Sequence, residues 1–152
     1  IHETSNVLYS TGLALNACVT DSALVVYGDL IFNKETIRRL DDKTSKVIVE
    51  NKGLMKSSEV GVAAQDGEVK NFSFGLTCKW GHIVYLSGKE LQIMKSVSRK
   101  IECSQWLGYE GLNYVLSNGG KFSYLSPKNM KIIEIDVAKD LSSLSEKMLT
   151  FG

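Results

Sequence analysis

Two rhythms of apolar positions run along this chain. Leu8, Gly12, Leu15 and Val19 recur at i, i+4, i+7 and i+11, which is one face of an α-helix. Thr4, Ser5 or Asn6 can cap its start. Ala23-Leu24-Val25-Val26-Tyr27 is then an unbroken apolar run, the pattern of a strand buried on both faces, as in a parallel sheet. It stops abruptly at Gly28-Asp29. Asn33 can cap a short helix through Leu40, with Ile37 and Leu40 turned inward.

Shorter, strand-like segments follow at Lys46–Glu50, Glu59–Ala64 and Glu68–Phe74. Asp66-Gly67 between the last two is a two-residue hairpin signal. Ile83–Leu86 reads as a strand and leads into Ser87-Gly88-Lys89-Glu90, a capping box flanked by Leu86 and Leu91 as a hydrophobic staple. A helix from Gly88 to Arg99 follows from that pattern. Another is expected from Leu107 to Ser117, stopped by Asn118-Gly119-Gly120. Phe122–Leu125 and Ile132–Ile135 read as strands, and Leu141, Leu144 and Met148 as the inward stripe of a last helix. Strands alternate with helices at both ends of the chain. The expected architecture is therefore α/β: a three-layer, Rossmann-like, mainly parallel sheet with an antiparallel hairpin insertion.

Composition narrows the function. The chain has 152 residues, 43% of them hydrophobic, enough for one domain with a real core. Lys+Arg number 18 against 17 Asp+Glu, a formal charge of +1, which lacks the basic bias of a nucleic-acid binder. No apolar run reaches the roughly 18–20 residues of a membrane span. Cys18, Cys78 and Cys103 are an odd number at wide spacing, as expected of reduced thiols in a cytoplasmic protein.

Two aspartates are placed for chemistry. Asp29 follows the first apolar run and Asp136 follows Ile132–Ile135, and in open α/β sheets ligands bind beyond the carboxyl ends of strands. Mg²⁺ is bound through one or two carboxylates plus substrate phosphates, so the two together suit a metal and a phosphate. Singly, Asp29 is also an ordinary turn residue and Asp136 an ordinary helix cap; Asp140, one turn on, fits a solvated first-turn acid. Trp80, Trp106 and Tyr109 can cage an ammonium or stack on a base, although packing is the commoner role of such rings. Glu110 beside Tyr109 can meet a cationic group or simply face solvent. The chain has no GxxxxGK[ST], GxSxG, HExxH or CxxC motif, so nucleophilic and zinc catalysis lack support.

At Asn6-Val-Leu-Tyr-Ser10, Leu24–Phe32 and Ile133-Glu-Ile-Asp136…Asp140-Leu141, the chain resembles the later two-thirds of nucleotidyltransferases that activate a phosphorylated small molecule with an NTP. It is most similar to the phosphocholine and aminoethylphosphonate cytidylyltransferase branch. Asp66-Gly67, Val84–Glu90 and Tyr109-Glu-Gly-Leu-Asn113 fall in the family's order. The resemblance implies that Asp29 and Asp136 hold Mg²⁺, with Asn6 and Ser10 near the nucleotide or acceptor. Gly28, Trp106, Tyr109 and Glu110 would lie on the substrate side. The family's glycine-rich, basic loop for the triphosphate would precede Ile1, and of its later Lys-rich stretch only Lys79 remains. Residues 1–152 thus read as one partial domain, expected to be inactive towards NTPs alone. It would associate as a homodimer, or with the missing N-terminal part, through the Leu24–Tyr27 edge. A sugar-1-phosphate nucleotidyltransferase is the near alternative, and a non-catalytic binding module of the same fold the distant one. If both aspartates serve one hydrated cation, a crystal structure will place their carboxylates about 4–8 Å apart; opposite edges of the sheet would refute a shared site.

Overall fold

The computed structural model describes residues 7–40, 43–51, 57, 59–76 and 78–135. Its longest strand, β6 (Cys78–Ser87, 10 residues), has more edge than any one neighbour can cover. β3 (Lys46–Glu50) lies antiparallel along one side, Lys46 opposite Tyr85 and Glu50 opposite Lys79. The other side is shared. β1 (Ser22–Val26) takes Ile83–Ser87, and β4 (Val60–Gln65) takes Cys78 and Lys79, both antiparallel.

β4 turns through Asp66 (φ 54°) and Gly67 (φ 82°) into β5 (Glu68–Phe74), the hairpin expected from Asp-Gly. β7 (Ser123–Leu125) runs parallel to β3 and meets β5 at Glu68–Ser123. Strands β6, β3, β7, β5 and β4 thereby close into a ring, with β1 outside it on β6.

This corrects the expectation of a mainly parallel sheet. The fold is α/β, but the sheet is mixed, and β3 with β7 is the single parallel pair among the described strands. The short links between β4, β5 and β6 allow only antiparallel neighbours. Apolar runs report burial on two faces, which layers on both sides of an antiparallel sheet supply equally well. β1 departs furthest. It pairs on one side only among the described residues, and Leu24 and Val26 are 43% and 38% exposed.

Three helices form one layer: α1 (Val7–Ala17), α3 (Gly88–Ser98) and α4 (Gly108–Ser117). They approach closely because glycines stand at the crossings. A Cβ on Gly12 would lie 2.5 Å from Cβ of Ser98, and one on Gly111 would lie 2.7 Å from Leu8 Cδ1. The opposite face is covered by the short helix α2 (Lys34–Ile37) and an antiparallel ribbon of β2 (Leu30–Phe32) and β8 (Ile132–Glu134). Leu40, Ile48, Ile83 and Met130 are buried beneath them. Neither β2 nor the first half of β6 was expected: Leu30-Ile31-Phe32 is too short to show a period, and Gly81 interrupts Cys78–His82. The last expected helix, around Leu141 to Met148, lies outside the described residues.

The helix starts differ from the sequence reading as well. Ser87 sits at the N-cap of α3 but makes no side-chain cap bond, and φ of Gly88 is +50°. The hydroxyl of Ser45 donates to the Ser87 carbonyl and accepts its N–H, fastening β3 to the end of β6 instead. At α4 the Glu110 carboxylate accepts the Leu107 N–H at 2.6 Å. Asn33 precedes α2, but its side chain spans to the β7–β8 connection, accepting from Lys131 N–H and donating to the Asn129 carbonyl.

Asn113 of α4 does the work of an absent strand. Its amide accepts the Phe72 N–H at 2.9 Å and donates to the Phe72 carbonyl at 2.7 Å, where β5 has run past its contact with β7. Phe72 is fully buried, so Asn113→Leu strands two backbone groups away from water. The expected loss is about 2–4 kcal/mol of unfolding free energy, measured by urea denaturation, against less than about 1 kcal/mol for exposed Asn118→Ala.

Candidate functional site

Where β1 ends, Tyr27 N–H donates to the His82 carbonyl at 2.8 Å, and Gly28 (φ 83°) turns the chain away. Beside this turn lies a cleft of about 460 Å³, bounded by α1, the ends of β1, β4 and β5, the first half of β6, the start of α4 and β8. Its walls are aromatic. The His82 imidazole stacks on Trp80, with centroids 4.8 Å apart and planes 12° apart. Tyr27 tilts against Trp80 at 5.2 Å, and Phe74 meets Tyr109 edge-on at 5.3 Å. The fit below α4 is close, since a Cβ on Gly108 would come within 2.6 Å of the Tyr27 ring.

Two polar atoms in these walls make no hydrogen bond of ordinary geometry: Trp80 Nε1 and Tyr27 Oη. The neighbouring Thr11 hydroxyl is turned to the Val7 carbonyl at 2.9 Å. Burial pushes the Tyr27 phenol far above its usual range, with Thr11 a minor opposing influence.

Carboxylates line the other side of the cleft. Glu59 and Glu134 belong to its wall, and Glu50 stands behind them. Lys79 holds all three: its Nζ is 3.0 Å from Glu134, 3.6 Å from Glu50 and 3.6 Å from Glu59. One ammonium thus ties together carboxylates from three segments. His82 Nε2 lies 3.6 Å from Glu134. Its φ of +60° is uncommon for a non-glycine residue, although histidine tolerates it better than most. Residues i and i+2 of a strand share a face, which sets the His82 ring beside that of Trp80 across Gly81.

The sequence-derived candidates separate in space. Gly28 and Tyr109 line the cleft. Asp29 follows Gly28 with an exposed side chain, and its carbonyl accepts the Ile135 N–H at 3.0 Å, extending the β2–β8 ribbon by one step. Asn6 and Asp136 lie outside the described residues. Ser10 is exposed on α1 and is not part of the cleft wall. Trp106 is half-buried, tilted against Tyr114 at 6.2 Å, with its carbonyl accepting the Leu8 N–H. Glu110 caps α4. These two support the helix whose first residues wall the cleft. Tyr27, Glu59, Phe74, Lys79, His82 and Glu134 were not singled out as site residues, because they are scattered over five segments that only the ring brings together. No helix among the described residues is long and apolar enough to cross a membrane.

Burial alone would lower the Lys79 pKa, but the hydrogen bond to Glu134 and the charges of Glu134, Glu50 and Glu59 outweigh it and raise the pKa. A raised lysine pKa stabilises the fold at all pH below the ordinary value, and the effect is lost only as pH rises through the raised one. Lys79→Met removes the cation that three carboxylates share. The expected cost is on the order of 1–2 kcal/mol near neutral pH, discounted for partial exposure. In denaturation series the deficit shrinks as pH falls towards about 4, where carboxylates protonate.

No family model and no curated protein sequence matches the chain. Solved structures do. An inositol-1-phosphate CTP transferase from T. maritima superposes with a TM-score of 0.76 at 15% identity, covering 97% of this chain and 62% of that one. The CTP:phosphocholine cytidylyltransferase of Streptococcus pneumoniae gives 0.64 at 16% identity, covering 97% and 65%. A nucleoside-diphosphate-sugar pyrophosphorylase from Vibrio cholerae gives 0.59 at 11%, covering 88% and 60%. The chain thus spans less than two-thirds of the length of these proteins, and over that span its fold is that of the nucleotidyltransferases.

Proposed function

We propose that this chain carries the acceptor and metal side of a Mg²⁺-dependent nucleotidyltransferase. The reaction moves an NMP unit from an NTP, CTP by preference, to a phosphorylated small molecule with a cationic head, such as phosphocholine. The observation that carries this reading is the cleft itself: aromatic faces and the carboxylates of Glu59 and Glu134 open beside the turn that leads to Asp29. An alkylated ammonium gains from both. It sits against ring faces at about 0.5–2 kcal/mol per contact and meets the acids without needing their hydrogen bonds.

Asp29 suits a hard cation, being an exposed carboxylate at a strand end. Mg²⁺ takes one or two protein carboxylates and fills its shell from substrate phosphates and water, so a single aspartate at this turn is enough to begin a site. Asp136 is the second proposed ligand. The metal would neutralise the triphosphate and orient it for attack by the acceptor phosphate at the α-phosphorus, with pyrophosphate leaving. The chain's own part is positioning. Trp80, His82 and Tyr109 fix the cationic head, Glu59 and Glu134 compensate it, and Lys79 keeps those carboxylates in place. Asn6 and Ser10 stay as proposed contacts on the nucleotide or acceptor side.

A sugar 1-phosphate acceptor is a second reading, favoured by Trp80 Nε1 and Tyr27 Oη, which a hydroxyl-bearing ligand can satisfy if the wall shifts to uncover them. The edge of β1 that is unpaired among the described residues, with Leu24 and Val26 exposed, would take a further strand. A second copy or the polypeptide's N-terminal part would supply it, and light scattering tells which.

Calorimetric titration tests the reading. Phosphocholine is expected to bind more tightly than glucose 1-phosphate, and Tyr109→Ala to weaken it about tenfold, equivalent to about 1.4 kcal/mol. Asp29→Asn should abolish any Mg²⁺-dependent gain in CTP affinity while sparing phosphocholine. The 152 residues alone should release no pyrophosphate from CTP; robust turnover would move the nucleotide site elsewhere. A preference for glucose 1-phosphate would favour the second reading, and a longer polypeptide that binds both ligands without turnover would identify a non-catalytic module.

A further inference from the structure

His82 is a side chain that no step above requires as a proton carrier, yet it occupies the point where the aromatic and acidic walls meet. Its ring lies flat on Trp80, and its Nε2 faces Glu134 at 3.6 Å. A neutral imidazole there is one more aromatic surface for a cationic head. A protonated imidazole is a cation already seated against the same carboxylate. Ligand and proton therefore draw on the same negative charge.

We propose that His82 is a specificity-determining residue, whose neutral form admits a cationic acceptor and whose protonated form excludes it. This rests on the cationic-acceptor reading of the cleft. Among the described residues, the charged and titratable groups around His82 are Glu134 from β8, Glu59 beside β4, Lys79 from β6 itself with Glu50 of β3 beyond it, and the phenols of Tyr27 and Tyr109. Between about pH 5.5 and 8, imidazole is the one ordinary side-chain type in this set that changes charge. Cation affinity is then linked to the proton and falls as pH drops through the histidine range, by at most tenfold per pH unit. The linkage is reciprocal, so a bound cation lowers the His82 pKa.

The test uses choline and its neutral carbon analogue 3,3-dimethylbutan-1-ol, which has nearly the same shape without the charge. Dissociation constants are measured by tryptophan fluorescence on the 152-residue chain across that pH range. Choline should weaken progressively towards acid, while the neutral analogue should change less than twofold. His82→Asn keeps a residue that tolerates positive φ and removes the titration, so choline affinity should become flat. In the unmutated chain, the NMR titration of the His82 ring proton should shift to lower pH when choline is added, which keeps the idea testable if the variant folds poorly. A pH slope that survives in His82→Asn, an equal slope for both ligands, or a His82 titration indifferent to choline would overturn the inference and leave the cleft assignment standing. Absence of choline binding at every pH would overturn both.

Discussion

The structure depends on the length of β6. A strand of ten residues among neighbours of three to seven cannot be covered by one partner on each side. β1 takes one half of its second edge and β4 the other, and the gap between them is where the cleft opens. Three consecutive roles follow on this strand. Lys79 gathers the carboxylates, Trp80 supplies the buried aromatic wall, and His82, two residues on and on the same face, stacks against it. Backbone pairing, which is indifferent to function, thus decides where the chemistry stands.

Lys79 gives that placement its rigidity. Its partners come from β3, the approach to β4, and β8, three segments that share no backbone ladder with one another. Reducing their mutual repulsion lets them stand together at the edge of an apolar cleft. The cost of partly burying these groups is offset by the pairing, as buried ions require. Nearby, Asn113 and Ser45 satisfy backbone groups at points where the strands run out of partners. Side chains complete the ring where the ladder cannot.

Much of this was legible in the chain and some was not. The Asp66-Gly67 hairpin and the helices from Gly88 and Gly108 follow from local chemistry, and the structure has them. Sheet direction was misread because Ala23–Tyr27 and Ile132–Ile135 look buried on both faces, and burial does not encode strand polarity. The capping box at Ser87 was misread for a related reason, since Ser45 from a distant strand claims the backbone there. Within the site, Gly28 and Tyr109 stood out from the sequence. Lys79, Glu59 and Glu134 did not, because a lysine becomes the hub of three acids only after strands far apart in sequence are brought side by side. Trp106 and Glu110, singled out as possible substrate contacts, act on helix α4 rather than on the cleft wall.

The central claim is that the cleft under the α4 N-terminus receives the acceptor. Backbone and indole NMR shifts recorded while phosphocholine is added test it most directly. The account predicts that the largest changes fall on the Trp80 indole, Gly28, Gly108 and Tyr109, with the Arg38–Lys128 surface on the far side of the sheet unmoved. Changes centred on that basic surface, or none at saturating ligand, would contradict it.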